Sequence, residues 1–196
     1  MIPGLVLFAA AVLYRLLPVL LGMKLQQPEW LPNVSPMAAR CLCGAAFLPR
    51  RLAIAVPLVA LLGTDLVLNA HYGFPLLTLE FLGKSVAFAA VAALGWQLRK
   101  NTRPGVILPA VLGGSLFFYI VTNTTSWLTL TEPSYAKTAA GWLQALTTGL
   151  PGYAPTWTFL RNSLVSDLLF TALFLACMHW SRQPAPTSEV QPAPTR

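Results

Sequence analysis

"GVILPAVLGGSLFFYIVTNTTSWL", residues 105–128, decides the fold class. From Gly105 to Thr122 no side chain is charged, and the run is close to the ~20 residues a helix needs to cross the hydrocarbon of a bilayer. The apolar run then breaks on Thr122, Asn123, Thr124 and Thr125 before it resumes at Trp127. A knot of hydrogen-bonding side chains at the end of such a run has three readings. Asn123-Thr124-Thr125 fits the Asn-x-Ser/Thr glycosylation pattern. One of the four could cap a helix. Or together they face a ligand.

Composition carries the membrane reading to the rest of the chain. Of 196 residues, 56% are hydrophobic and 10% charged, and the mean hydropathy is +0.63. A soluble domain carries about a quarter charged residues. The 13 Lys/Arg exceed the 6 Asp/Glu, but they stand as punctuation between apolar runs, which excludes a nucleic-acid surface and fits a multi-pass membrane protein. Three cysteines in apolar surroundings, Cys41, Cys43 and Cys177, make no disulfide framework and have no zinc or thioredoxin spacing. No metal site and no cofactor is expected. The N-terminus lacks a basic n-region and Arg15 interrupts its apolar stretch, so residues 2–22 read as a retained helix rather than a signal peptide.

Six apolar segments follow one another: 2–22, 37–48, 52–71, 75–97, 104–122 and 157–180. The fold class is therefore an all-α membrane protein with six transmembrane helices, the second one short. Whether residues 37–48 span fully is open, and five spans are the alternative. The longest connection, 123–156, contains "YAKTAAGWLQALTTGL", whose helical period predicts a short interfacial or re-entrant helix. Trp30, Trp127, Trp142 and Trp157 fall near segment ends, as an aromatic belt would. Residues 1–180 form one transmembrane domain, and 181–196, in which QPAPT occurs twice, reads as a disordered tail.

Basic loops orient the chain. Arg50 and Arg51, then Arg99, Lys100 and Arg103, then Arg182 and Arg196 all fall on one side of a six-span chain. The alternate loops hold only Lys24 and Lys137. Both termini are thus expected to be cytoplasmic.

Seven charges remain inside the spans: Arg15, Arg40, Asp65, Glu80, Lys84, Arg161 and Asp167. Counted by helical rise, all lie at mid-depth or towards the outer face. Intramembrane charges are costly and face a protein interior or a wet cavity. Glu80 and Lys84 are four residues apart on one helix and are placed to pair. The alternative to a pocket is a set of ion pairs that only hold helices together. Asn33 and Ser35, Asn69 and His71, Asn123, and Tyr135 with Lys137 and Thr138 end segments or open loops on that same side. A cap needs one such residue rather than four, so a polar pocket explains the clustering best. The candidate ligand-binding residues are Asn33, Ser35, Arg40, Asp65, Asn69, Glu80, Thr122, Asn123, Trp127, Tyr135, Arg161 and Asp167. The surplus of Arg15, Arg40, Lys84 and Arg161 over three acids points to anions.

"LPNVSPMAA", "VPLVALLGTDLVLN", "LFFYIVTNTTSWL", "SYAKTAAGWLQAL" and "GLPGYAPTWTFLRNSLVSDLLFTALF" resemble, in this order, the pattern of a bacterial membrane-protein family of unknown function. The likeness covers most of residues 10–175. That family is similar to the substrate-binding S components of energy-coupling-factor transporters, six-helix proteins that capture vitamins or metal ions at the outer face. The resemblance implies the bacterial cytoplasmic membrane as location. It also implies a coupling protein and two ATPases as partners, beside the lipid bilayer and a small-molecule ligand. Its recurrent positions fall on Pro32, Asn33, Ser35, Pro36, Asp65, Thr122, Asn123, Trp127, Tyr135, Thr138, Gly141, Pro151, Asn162 and Asp167. Two departures stand out. Segment 1 has Ala9, Ala10 and Ala11 but Leu13, Tyr14 and Arg15 four residues on, so the small-residue docking pattern is missing. There is also no N-terminal His motif of the metal-uptake type.

An enzyme is not expected. No P-loop, H-E-x-x-H or G-x-S-x-G occurs. Ser115 and His179 lie roughly 15 Å apart in depth, too far for general-base catalysis. The leading expectation is a small-molecule-binding or uptake subunit. The alternative is a structural or assembly protein of the cell envelope whose charges serve only helix packing.

Overall fold

The computed structural model describes residues 2–22, 35–130 and 134–180. Asn33, Trp30 and the tail 181–196 lie outside the described residues. Among those described, the chain is entirely helical: α1 (Ile2–Leu20), α2 (Met37–Phe47), α3 (Ala55–Tyr72), α4 (Leu79–Gln97), α5 (Pro104–Thr129), α6 (Ala139–Leu146) and α7 (Thr156–Trp180), with a 3-10 turn at Leu98–Lys100. Four of these, α3, α4 with its 3-10 turn, α5 and α7, are long and apolar enough to cross a membrane. Helix α1 has 19 residues and is apolar over Val6–Leu17.

Local signals place the boundaries. Gly73, at φ 73°, ends α3 in the left-handed conformation that glycine adopts without strain, and Phe74 N donates to Asn69 O at 2.8 Å. Thr78 Oγ1 accepts from Phe81 N at 3.1 Å and starts α4. Thr138 starts α6 in the same way, accepting from Gly141 N at 3.2 Å. The short helix expected in the fifth connection is therefore α6.

The long helices are built around a short one. Helix α2 has 11 residues, about 16 Å of rise against the ~30 Å hydrocarbon core. It is buried from Ala38 to Ala46 and packs on α3, α4, α5 and α7. Its small side chains let the long helices close around it. Cys41, Leu42 and Cys43 meet Leu61, Phe88, Val91, Ile107, Val111, Phe170 and Phe174 in one core. Residues 37–48 thus hold a short, central, apolar helix. Conversely, the long helices turn apolar side chains outward: Val59 is 70% exposed and Leu169 is 64% exposed, with Val165 and Leu173 on the same stripe. Such surfaces need lipid or partner helices rather than water.

Helix α5 departs from the sequence expectation. It does not stop at Thr122 but runs to Thr129. The polar knot lies inside its last turns, and the side chains satisfy themselves on the preceding turn. Thr122 Oγ1 donates to Phe118 O at 2.9 Å, Asn123 Nδ2 to Tyr119 O at 2.8 Å and Thr125 Oγ1 to Val121 O at 2.9 Å. Back-bonding of this kind lets Ser, Thr and Asn persist in a helix. Thr124 takes another role, accepting the indole N–H of Trp142 on α6 at 2.9 Å.

Candidate functional site

At the end of the bundle where α5 finishes and α4 and α7 begin lies a cavity of about 590 Å³. Its walls come from Arg15 on α1, Met37 at the start of α2, and Glu80 and Lys84 on α4. Helix α5 adds Ser115, Phe118, Tyr119, Thr122, Asn123 and Ser126; Tyr135, Leu150, Tyr153 and Ala154 close it from the connections, and Thr156, Phe159 and Ser163 from α7. The volume lies within the ~300–1,000 Å³ of small-molecule pockets.

One side is charged. Asp65 on α3, 3% exposed, receives Arg15 Nη2 on one oxygen and Lys84 Nζ at 2.7 Å on the other. Lys84 therefore pairs with Asp65, not with Glu80 as their i,i+4 spacing suggested. Glu80 accepts only a 3.3 Å hydrogen bond from Thr129 Oγ1 among the described residues. Arg15 Nε–H is buried and has no acceptor among them.

Beneath the cavity the polar groups serve the fold. Ser115 Oγ donates to Asp167 Oδ2 at 2.6 Å, and Asp167 Oδ1 accepts Ala39 N at 2.9 Å. Ala39 is in the first turn of α2, so a carboxylate from α7 satisfies backbone donors of a buried helix that has no side-chain cap of its own. Arg40 is fully buried, yet no carboxylate pairs with it among the described residues. Its guanidinium donates to Pro36 O, Ala11 O and Ser35 Oγ at 3.0–3.2 Å, tying α1 to the entry of α2.

The other expected residues sort by the same geometry. Glu80, Thr122, Asn123 and Tyr135 line the cavity. Burial pushes the Tyr135 phenol above its ordinary pKa, so it is present as a neutral hydroxyl. Asp65 stands behind the wall and holds its two cations. Ser35, Arg40 and Asp167 belong to the α2 supports instead. Asn69 lends its carbonyl to the end of α3. Trp127 Nε1 donates to Ala136 O at 2.9 Å, and Lys137 Nζ sits 5.8 Å over the Trp127 ring while donating to the last carbonyls of α5. That pair fastens the α5–α6 connection. Arg161 lies over the Trp157 ring at 5.4 Å and borders a separate concavity with Pro155 and Thr158. Asn33 lies outside the described residues.

Sequence reading missed Tyr119, Ser126, Tyr153, Thr156 and Ser163. On α5 the signal was present: Ser115, Tyr119, Thr122 and Ser126 repeat at three to four residues and share one face, once the helix is taken to Thr129. On the 147–155 connection and the start of α7 no period exists to read. Cys41 is buried on α2 and does not reach the cavity. Among the described residues no three His, Cys, Asp or Glu side chains gather where they could hold a metal ion.

The chain matches the model of a family of unknown function, DUF6580, over residues 1–188, and it belongs to that family. No curated protein and no solved structure matches it.

Proposed function

We propose that this DUF6580 member is a small-molecule-binding protein of the bacterial cytoplasmic membrane, with the 590 Å³ cavity as its binding site. The observation that carries the reading is the cavity wall itself, where Arg15, Lys84 and Glu80 stand beside neutral hydroxyls and aromatic rings. A bundle that used its charges only for packing has no reason to leave such a wall open.

In this reading the chain crosses the bilayer six times, with α2 as a half-length crossing inside the bundle. Arg50, Arg51, Arg99, Lys100 and Arg103 lie at the end opposite the cavity, so the positive-inside rule turns the cavity outward and both termini inward. The role is that of a capture or uptake subunit similar to an S component, delivering to a coupling protein with ATPases. Catalysis is not part of the proposal, since the Ser115 hydroxyl is spent on Asp167. A second reading, a structural envelope protein, is favoured by one fact: Asp167, Arg40 and Arg99 all serve α2.

Native mass spectrometry of protein taken from its own host membrane separates the two. Binding predicts a co-purifying small molecule that disappears in Ser126→Trp, which fills the cavity, while the melting temperature holds. A bare wild-type mass supports the structural reading.

A further inference from the structure

The anion preference expected from sequence counts Arg40 and Arg161, and neither faces the cavity. What remains at the wall is balanced. Asp65 satisfies two cations with two oxygens, which leaves Arg15 and Lys84 one positive charge in surplus. Arg15 is also the residue whose buried Nε–H lacks an acceptor among the described residues. One turn away, about 6 Å along α4, Glu80 offers a carboxylate with no cation on it among the described residues. Lys84 and Glu80 face the same space yet do not meet, because Lys84 is drawn to Asp65.

A singly charged ligand would answer one of these two groups and leave the other open. We infer that the cavity takes a small ampholyte, its oxyanion on Arg15 and Lys84 and its ammonium or N–H group on Glu80. The inference rests on the binding reading above and gives it a ligand class. Charge-assisted hydrogen bonds at both ends fix orientation as well as affinity. The rings of Phe118, Tyr119 and Phe159 beside them suit an apolar or aromatic body.

Three probes of one shape test it: L-phenylalanine, 3-phenylpropanoate, which lacks the amine, and 2-phenylethylamine, which lacks the carboxylate. Their binding to the full chain in nanodiscs is read by ligand-observed NMR against empty discs. Phenylalanine should bind at least tenfold more tightly than either relative. Glu80→Gln should lower it to the level of 3-phenylpropanoate and leave that probe unchanged. Lys84→Gln should lower it to the level of 2-phenylethylamine, again leaving that probe unchanged. Both substitutions keep the Arg15–Asp65 pair, so the fold has its buried bridge in each. A singly charged probe that equals phenylalanine overturns the ampholyte and leaves the binding reading in place. No binding by any probe also overturns it; the native mass spectrum then decides the binding reading separately.

Discussion

Asp167 on α7 accepts the backbone N–H of Ala39 on α2 at 2.9 Å, across 128 residues of sequence. At the other end of the same helix Arg99 donates to Ala45 O at 2.6 Å and Leu48 O at 2.7 Å. A buried 11-residue helix therefore has a carboxyl group at its positive end and a guanidinium at its negative end, both supplied from other elements. Helix α2 is too short to be stable alone. Its two ends are where the bundle is most open to damage.

Asp167→Ala should destabilise the protein by about 2–4 kcal/mol, because it orphans the buried donor of Ala39 at the start of α2 and opens a gap beside Ser115, whose hydroxyl keeps Val111 O as its acceptor. Asp167→Asn keeps an acceptor for Ala39 and should fall between the two. Thermal unfolding in nanodiscs gives the order, and equal melting of wild type and Asp167→Ala would refute the cap.

Arg99→Met should cost about 1–3 kcal/mol by removing two charge-assisted bonds to carbonyls. Arg99→Lys should restore only part, since an ammonium lacks the fork that reaches both oxygens. If both variants melt alike, the fork is not what matters.

Gly95 marks where α4 lies on the backbone of α2. A Cβ there would come 2.9 Å from Leu42 Cα and 3.0 Å from Ala45 Cβ, besides meeting Leu42 O. Gly95→Ala should push the helices apart at a cost of about 1–3 kcal/mol. Gly105→Ala, with open space around its Cβ, is the control and should melt as the wild type does.

The Asp65 bridge should be asymmetric. Arg15 is 9% exposed at its side chain and Lys84 is 31% exposed. Arg15→Met leaves a buried carboxylate with a half-solvated partner and should cost about 3–5 kcal/mol. Lys84→Gln should cost about 1 kcal/mol or less. The double variant Arg15→Met, Asp65→Leu should be more stable than Arg15→Met alone, because it removes the orphaned charge with its partner. Unfolding of the three side by side checks the order.

What the sequence determined by itself is the all-helical, membrane-like class and its long apolar helices. Hydropathy and a deficit of charge are additive along the chain, so they can be read without knowing what touches what. The helix starts at Thr78 and Thr138 and the stop at Gly73 are just as local, one residue acting on its neighbours, but the segments read as 52–71 and 75–97 did not use them. It also showed that charges had been placed inside the spans. It did not give their partners. Lys84 has an acid four residues away and takes Asp65 instead; Asp167 resembles a ligand group and caps a helix 128 residues distant. Thr122, Asn123 and Thr125 look like a helix end and instead sit inside a helix, because each can bond to its own preceding turn. Coulomb and hydrogen-bond energies depend on distance in space, and only the packing of α2 among four longer helices sets those distances. That packing decides which charges are consumed as structure and which, at Arg15, Lys84 and Glu80, are left facing a cavity.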